Sequence, residues 1–377
     1  MRVALFTETF LPKVDGIVTV LVLLMDHLIE RGIEFAVVAP RIDARLKDYR
    51  GRPVIGVPGL PVPFYPELKV GPPTLRTYRE VKAFQPDIAH FIHPALVGAG
   101  GLMMAKRLRV PTLASFHLDL ATLARYLGVG FLAPLLWWYM RMTFNAADYA
   151  LAPSHRMRQD MLARGVREVG LWRRGVDATF FHPSHRSPAM RHRLSSGHPD
   201  DTILLYVGRL SSEKQIGLIR PALDAMPGAR LAIVGNGPAR DQLEATFAGS
   251  PTTFMGYLSG DDLAAAFASA DIFVFPSAME TFGLVLIEAM AAGLPVVSSR
   301  VGGADDIVTP GESGYVFDVG DARGLIDGVR AIMAEPGRRD AMGQRARQFA
   351  ETQSWPAMMD ELIGCYADLI AGRHPKI

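Results

Sequence analysis

The chain has 377 residues, 49% hydrophobic and 21% charged, so it is long enough for two ordinary domains and is not a disordered sequence. Its single cysteine, Cys365, excludes a disulfide framework and a multi-cysteine metal site, which suits the cytoplasm. The net charge is only +2, but residues 1–180 hold 23 Lys and Arg against 15 Asp and Glu, and the remainder holds 17 against 23. This asymmetry indicates either an acidic partner, such as an anionic lipid surface, or patchy surface charge.

The first half of the chain alternates short apolar runs with helix-like segments, which predicts a parallel sheet covered on both faces. A helix is expected from Ile17 to Arg31. The chain starts directly with a strand, so no signal peptide is expected, and the apolar stretch at 131–140 is too short to span a bilayer. The predicted strands are Arg2–Thr7, Glu34–Ala39, Val54–Val57, Ile88–Ile92, Thr112–Phe116 and Tyr149–Ala152.

Ligands of such sheets bind beyond the carboxyl ends of the strands, so the residues that follow each strand are the candidates. Gly16 opens the first helix, either as a simple tight turn or as part of a binding loop. His117 ends the fifth strand and is a catalytic candidate, whereas Asp119 either helps to hold a substrate or caps the next helix. His90 and His93 flank the end of the fourth strand and are interpreted as structural, with a place for either in the lining of a substrate pocket as the alternative.

An aromatic-rich segment follows, from Tyr126 to Arg141. It predicts either a buried helix or a partly exposed helix whose Trp and Tyr side chains sit at a lipid interface, with Arg141 toward the headgroups.

The second half restarts with a strand at Thr202–Gly208, after loop-like stretches at 182–188 and 195–199 that predict a domain hinge. Arg209 and Lys214 flank the turn after this strand, and two cations there suit a diphosphate. A surface ion pair between Glu213 and Lys214 is the alternative.

Two further strand-to-loop transitions follow. The Gly235-Asn236-Gly237 turn lacks the third glycine of a dinucleotide fingerprint, so it is interpreted as a turn into a helix. The next strand, Thr252–Met255, leads into Gly256-Tyr257-Leu258.

The stretch at 276–293 reads as the end of a strand, a Pro-Ser loop and an apolar helix that Gly293 and Pro295 terminate. Such a helix start offers free N–H groups and a positive dipole end to an anion. Glu280 lies in the loop and Glu288 inside the apolar helix, where a glutamate needs a partner such as a ligand hydroxyl. The two carboxylates are eight residues apart, close enough to hold two ends of one nucleotide sugar.

The pattern P-S-x-x-E-T-F-G-L-V-L-I-E-A-M-A-A-G-L-P-V-V, with Glu280 and Glu288 eight residues apart, resembles the signature of the retaining GT-B glycosyltransferases of family 4. The resemblance implies an α/β fold of two Rossmann-like doubly wound domains facing a cleft. It implies domains at 1–182 and 198–355 and a C-terminal helix, 356–377, that crosses back onto the first domain.

The resemblance also implies the site. His117 approaches the transferred sugar, Glu280 holds its hydroxyls, Glu288 holds the ribose, and Arg209 and Lys214 hold the diphosphate. No bound metal or further cofactor is expected, because the helix dipole and these cations supply the positive charge. The implied donor-binding set is completed by Gly16 at the phosphates, Gly256, Tyr257 and Leu258 at the nucleobase, and Thr281, Phe282, Gly283 and Leu284 at the helix start.

Two lipid-directed branches are similar over the whole chain: sulfoquinovosyl transferases of sulfolipid synthesis and GDP-mannose-dependent α-mannosyltransferases. They imply transfer of a hexosyl group from a UDP- or GDP-linked sugar to a glycolipid or diacylglycerol-type acceptor, with no nucleic acid partner. The expected location is cytoplasmic, with peripheral contact at the inner face of the cell membrane left open. A glycosyltransferase with a soluble acceptor and a sugar-nucleotide epimerase on the same fold are the alternatives.

Overall fold

The computed structural model describes residues 1–13, 16–41, 46–62, 65–126, 128–335 and 337–377. It divides into two compact units, one formed by Met1–Arg173 with Pro356–Ile377 and the other by Arg174–Trp355. Each unit has its own hydrophobic core.

The first unit is built on an eight-stranded sheet. Strand runs rich in Val, Ala, Ile and Phe are buried on both faces, as expected for parallel strands covered by helices. The strands of this unit, of which β5 and β6 lie outside the eight-stranded sheet, are β1 (Arg2–Thr7), β2 (Glu34–Pro40), β3 (Asp48–Tyr49), β4 (Arg52–Val57), β5 (Leu60–Val62), β6 (Tyr65–Val70), β7 (Ile88–Ile92), β8 (Thr112–Ser115), β9 (Tyr149–Ala152) and β10 (Val169–Leu171). The helices of this unit before residue 174 are α1 (Gly16–Glu30), α2 (Leu75–Phe84), α3 (Leu96–Leu108), α4 (Leu120–Tyr126), α5 (Ala133–Ala146) and α6 (His155–Ala163).

The strand order of this sheet is β10-β9-β8-β7-β1-β2-β4-β3, with β3 antiparallel to β4 and the other pairs parallel. Strands β5 and β6 form a separate antiparallel pair. The chain therefore winds in opposite directions from β1 and β7, which places a topological switch point between these two strands.

The second unit is built on a six-stranded parallel sheet with the order β13-β12-β11-β14-β15-β16. Its strands are β11 (Thr202–Val207), β12 (Ala229–Val234), β13 (Thr252–Gly256), β14 (Ile272–Phe275), β15 (Val296–Ser299) and β16 (Gly314–Phe317). Its helices are α7 (Pro188–Leu194), α8 (Arg220–Asp224), α9 (Arg240–Thr246), α10 (Gly260–Ser269), α11 (Leu284–Ala291), α12 (Ala304–Ile307), α13 (Ala322–Met333) and α14 (Arg338–Glu351). The order is that of a Rossmann sheet, so the switch point lies between β11 and β14.

The last helix, α15 (Trp355–Ile370), returns to the first unit, in which its Tyr366 is fully buried. The fold class predicted from the sequence, two doubly wound parallel-sheet domains, is confirmed. The predicted strands appear within one or two residues of their expected bounds, and the helix expected at Ile17–Arg31 is α1.

The first change of unit lies closer to the N-terminus than the hinge predicted between 182 and 198. Residues from Arg174 onward belong to the second unit. Val176 donates a backbone hydrogen bond to Gln353 at 2.8 Å, and Phe181 packs into the second core. The loop composition that suggested a hinge belongs to turns and the short helix α7 on the surface of the second unit, because those turns also need Pro, Ser and Gly.

Candidate functional site

The site residues predicted in the second unit lie in the loops that leave β11 and β14, the two strands beside its switch point. A side-chain ion pair joins these loops: Lys214 Nζ lies 2.9 Å from Glu280 Oε2. The side chains are 16% and 24% exposed, respectively. The ammonium also lies 5.4 Å from the centre of the Phe275 ring, so it is held from two sides. The surface ion pair between Glu213 and Lys214, which was the alternative interpretation of the sequence, is not found among the described contacts, since Lys214 pairs with Glu280.

Backbone contacts hold the two loops in register. The Ala278 N–H donates to the Glu213 carbonyl at 2.8 Å. The buried Tyr206 hydroxyl donates to the Arg209 carbonyl at 3.1 Å, and burial together with the charge of Glu280 raises the pKa of Tyr206. Arg209 itself is exposed, and its guanidinium has no hydrogen bond or ion pair to another described residue. The turn therefore carries one cation paired with a carboxylate, Lys214, and one exposed cation, Arg209, on the same edge of the sheet.

Helix α11 begins directly after Glu280, Thr281 and Phe282, with Gly283 in the left-handed conformation (φ 98°) as its cap. No side chain in the described part of the chain caps this helix. The Leu286 N–H donates to the Gly283 carbonyl at 3.0 Å, whereas the N–H groups of Leu284 and Val285 have no acceptor among the described residues. The Gly303 N–H donates to the Phe282 carbonyl at 2.9 Å, which fixes the loop from the β15 side. A helix start of this kind favours an anion, and the loop just before it carries the Lys214–Glu280 ion pair.

Glu288 lies one helical turn further along α11. Together with Leu284 and Val285 it is partly accessible, whereas Leu286, Ile287 and Ala289 are buried. Burial of the carboxyl group raises the pKa of Glu288 to about 7. Its carboxyl group has no hydrogen bond or ion pair within the described residues. Within the described residues, Glu288 therefore lacks the partner that a glutamate in an apolar helix needs.

The predicted nucleobase turn lies at the other end of this sheet edge. The Gly256 carbonyl accepts from the Gly235 N–H at 2.7 Å, and Tyr257 is 69% exposed; Leu258 is half-buried. Gly235 (φ 135°) in turn packs so tightly on Gly208 that a Cβ would lie 1.9 Å from the Gly208 carbonyl oxygen. These contacts line up the loops of β13, β12 and β11, but among the described residues no hydrogen bond joins the nucleobase turn to Lys214 or Glu280.

At the switch point of the first unit, the loop after β1 meets the start of α3. The Glu8 carboxylate accepts from the N–H groups of Ala95 (3.0 Å), Val97 (3.1 Å) and Gly98 (2.9 Å). Burial raises the pKa of Glu8, while these backbone donors act in the opposite direction. A protein carboxylate therefore fills this helix start. Gly16 is the exposed first residue of α1, and residues 14 and 15, which precede it, lie outside the described residues.

His117 is buried at the end of β8, where its Nε2 lies 2.8 Å from Ser115 Oγ. The same hydroxyl lies 2.8 Å from His90 Nε2, and His90 Nδ1 lies 2.6 Å from the Tyr366 hydroxyl. His93 is also buried, and neither ring nitrogen has a hydrogen-bond partner in the described structure. Desolvation lowers the pKa of His93 to about 4.

Asp119 caps a helix. Its carboxylate accepts from the N–H groups of Ala121 and Thr122, each at 3.0 Å, and from the Thr122 hydroxyl. Of the two roles that the sequence left open, the structure supports the cap.

Helix α5 and the 3₁₀ turn before it carry an outward-facing apolar stripe. Phe131, Leu135, Trp138 and Met142 are 79%, 57%, 50% and 53% exposed. The opposite face of α5, including Trp137, is buried. Arg141 is exposed on the side of the stripe. The segment is thus half core and half surface, whereas Leu127 and the side chain of Tyr126 lie outside the described structure.

The described residues contain no candidate membrane span and no candidate metal-binding cluster. None of their helices is both long and apolar enough to cross a membrane. No group of three or more His, Cys, Asp or Glu side chains among them could hold a metal ion.

Three contributors to these sites were not singled out from the sequence: Glu8, Ser115 and Tyr206. Glu8 carried a usable signal, since a glutamate directly after a buried first strand lies at the sheet edge where helices start. Ser115 and Tyr206 lie inside apolar strand runs, and what their hydroxyls contact depends on residues up to 25 positions away.

Comparison with known proteins identifies the family. The profile described as "Glycosyltransferase Family 4" matches residues 14–180, and that of "Glycosyl transferases group 1" matches residues 191–349. The sulfoquinovosyl transferase SQD2 of Arabidopsis thaliana is 36% identical over 94% of this chain and 71% of its own length. A GDP-mannose-dependent alpha-mannosyltransferase of Mycobacterium tuberculosis is 37% identical over 99% of this chain and 98% of its own length.

Solved structures agree on the architecture. The Anabaena protein HepE, crystallised in complex with UDP, superposes with a TM-score of 0.79 over 98% of this chain and all of its own, at 18% identity. A sucrose-phosphate synthase from Thermosynechococcus elongatus gives a TM-score of 0.76 over 98% of this chain and 99% of its own, at 21% identity. The signature around Glu280, the two doubly wound sheets and the whole-length relatives agree, and the chain belongs to the family 4 glycosyltransferases with the GT-B fold.

Proposed function

We propose that this protein is a retaining glycosyltransferase that moves a hexosyl group from a UDP- or GDP-linked sugar to a hydroxyl of a glycolipid or diacylglycerol-type lipid. The observation that carries the donor assignment is the open start of α11 beside the Lys214–Glu280 ion pair. Both are features of a site that binds an anionic group together with a hydroxylated one.

The proposed roles of the donor-binding residues follow from their charges. Lys214, Arg209 and the N–H groups from Phe282 to Leu284 would bind the diphosphate and stabilise its growing negative charge as the sugar leaves. Protein cations and a helix dipole supply this stabilisation, so we propose that transfer proceeds without a bound metal ion. Glu280 is already oriented by Lys214 at 2.9 Å and would accept hydrogen bonds from sugar hydroxyls.

Glu288 and the nucleobase turn would hold the nucleoside. The pKa of Glu288, raised to about 7, indicates a carboxyl group that lacks a compensating donor, and ribose hydroxyls would provide one. Tyr257, 69% exposed after β13, and the backbone of Gly256 and Leu258 are the proposed base-binding positions. His117 is the proposed contribution of the first unit to the transfer step, and Gly16 would lie at the donor's phosphates.

A lipid acceptor is supported by the names of the relatives and by the stripe on α5. The relatives include a sulfoquinovosyl transferase and a mannosyltransferase of phosphatidylinositol dimannoside. Trp138 and Phe131 are side chains that favour a membrane interface, and Arg141 beside them would attract anionic headgroups. We therefore propose peripheral contact with a membrane through this stripe.

Donor binding can be tested by calorimetric titration of the purified protein with UDP-glucose, GDP-mannose and ADP-glucose, each with and without EDTA. One sugar nucleotide should bind at micromolar affinity, unaffected by the chelator. Product analysis by NMR should then show the donor's anomeric configuration in the product. Binding of none of them would contradict the donor site, and conversion of the sugar without an acceptor would favour an epimerase.

Membrane contact can be tested by co-sedimentation with phosphatidylglycerol vesicles, with phosphatidylcholine vesicles for comparison. The double variant Leu135→Ser/Trp138→Ser should lose vesicle binding. The variant Leu75→Ser is a matched control, since Leu75 is 75% exposed at the start of α2, away from the stripe. Equal sedimentation of both variants and the wild type would favour a soluble acceptor.

A further inference from the structure

A buried chain of four side chains links the C-terminal helix to His117. From Tyr366 on α15 it runs through His90 on β7 and Ser115 on β8, with contacts of 2.6, 2.8 and 2.8 Å. Tyr366 and His90 are 0% exposed, Ser115 is 1% and His117 is 7% exposed. Each link is within hydrogen-bond distance, so the protons along the chain are correlated.

Two directions of donation are compatible with these distances. In one direction the Tyr366 hydroxyl donates to His90 Nδ1, His90 Nε2–H donates to Ser115, and the Ser115 hydroxyl donates to His117 Nε2. The other direction reverses every step and starts from a proton on His117 Nε2. A neutral imidazole has one donor and one acceptor nitrogen, so the two directions give His117 opposite tautomers.

Tyr366 decides between the two. Its hydroxyl has His90 as its hydrogen-bond partner, and none of the described residues offers it a second acceptor. In the reversed direction His90 would donate to this hydroxyl, and the phenolic proton would be buried without a protein acceptor. Leaving a buried donor unsatisfied is costly, so the direction that starts at Tyr366 is favoured by about tenfold or more.

We infer that Tyr366, His90 and Ser115 are positioning residues that hold His117 as its Nδ1–H tautomer, so that His117 presents a hydrogen-bond donor rather than a base. The inference deepens the proposed function and rests on it where catalysis is concerned. A proton on Nδ1 makes this nitrogen a donor, which suits a sugar oxygen, and leaves it without the lone pair that would remove the acceptor's proton. The helix that completes the first unit thereby determines the chemistry of a strand-end histidine.

The tautomer can be measured without any substrate. In protein labelled with ¹⁵N-histidine, two-bond ¹H–¹⁵N spectra separate the two neutral tautomers, and His117→Gln identifies the His117 signals. The wild type should show the Nδ1–H form. In Tyr366→Phe both directions leave one group unsatisfied, so the Nε2–H population should rise. In Ser115→Ala the same change should occur although the Tyr366–His90 pair remains.

Kinetics supply the second readout. The kcat of Tyr366→Phe should fall by the factor by which the Nδ1–H population falls, about two- to fivefold, with an unchanged KM for the donor. Tyr139→Phe is the matched control, because it removes a hydroxyl bound to the Ala95 carbonyl at 2.6 Å in the same unit. It should leave the tautomer unchanged.

An Nε2–H tautomer in the wild type, or an unchanged tautomer in both Tyr366→Phe and Ser115→Ala, would overturn the inference. Because these spectra need no donor, they test the chain even if no sugar nucleotide binds. Failure of the titrations alone would count against the proposed function and not against the tautomer.

Discussion

The two units treat the same topological position in opposite ways. Both have a switch point where the loops of two central strands diverge beside the start of a helix. In the first unit Glu8 fills the start of α3 and accepts hydrogen bonds from three N–H groups. In the second unit the start of α11 has no side-chain cap, and the nearby carboxylate, Glu280, is paired with Lys214 instead.

The difference separates a structural helix start from one that can bind a ligand. Unpaired N–H groups and the helix dipole favour an anion in both units. In the first unit the Glu8 carboxylate accepts from the N–H groups at the start of α3, so these groups need no ligand. In the second, Glu280 pairs with Lys214, and the N–H groups of Leu284 and Val285 have no acceptor among the described residues, so we propose that a phosphate binds there.

Removing the cation should have the largest effect. Lys214→Ala should lower kcat about 100-fold, because the leaving diphosphate loses a charged donor and Glu280 loses the partner that orients it. Steady-state kinetics with the titrated donor would measure this. Lys82→Ala, which removes an exposed cation of α2, should keep wild-type kcat. An unaltered rate in the Lys214 variant would remove the proposed stabilisation of the leaving group.

Removing the internal cap should cost stability rather than donor binding. Glu8→Ala leaves three N–H groups of α3 without their acceptor and should lower the free energy of unfolding of the first unit by about 2 kcal/mol. Hydrogen exchange of the Ala95, Val97 and Gly98 amides would report it locally. Glu8→Gln keeps one acceptor oxygen, so its free energy of unfolding should lie between those of the wild type and Glu8→Ala. Unchanged exchange at these amides would show that the cap contributes little.

Placing a carboxylate at the start of α11 should make this helix start resemble that of α3, where Glu8 accepts from the N–H groups. Thr281→Asp adds a carboxylate just before α11 and should weaken donor binding about tenfold by competing with the phosphate. The free energy of unfolding should not fall, since an acidic group suits a helix start. Thr281→Asn has the same shape without the charge and should bind the donor nearly as the wild type does. If Thr281→Asp and Thr281→Asn bound the donor with equal affinity, anion binding at the start of α11 would be contradicted.

The smallest effect concerns Glu288 and appears as a pH dependence. Its folded pKa, about 7, lies above the ordinary value of 4.5, so the folded state binds the extra proton. This contribution to stability is full below pH 4.5 and is lost as the pH rises to 7. Compared with Glu288→Gln, the melting temperature of the wild type should therefore fall between pH 5 and pH 8, by on the order of 5 °C. If the melting temperatures of the wild type and of Glu288→Gln instead depended on pH in the same way, the Glu288 carboxyl group would be well solvated.

Several site positions could be recognised along the chain, but their partners could not. The loop with Glu280 and the turn with Arg209 and Lys214 follow strands whose apolar runs are unmistakable. For Lys214 the sequence offered a diphosphate or, as the alternative, the adjacent Glu213, because sequence neighbours are the only protein contacts that a linear pattern displays. The actual partner lies 66 positions away, across the switch point.

His90 illustrates the same limit. A histidine inside a buried strand was interpreted as structural, and nothing within its own strand suggests otherwise. Its hydroxyl partners come from the next strand and from a helix 276 positions later in the chain. Such contacts depend on which helix covers which face of the sheet.

The amino-acid sequence by itself determined the fold class and most of the sheet strands, though not β3, β5, β6 or β10, and it marked the loops proposed to hold the site. It could do so because apolar periodicity and turn residues act over a few neighbouring positions. Only the tertiary structure decided which polar groups pair and which stay open: Glu8 with α3, Glu280 with Lys214, Tyr366 with His90. The physical reason is that a buried charge or donor must find its partner in space, and packing, rather than sequence distance, brings those groups together.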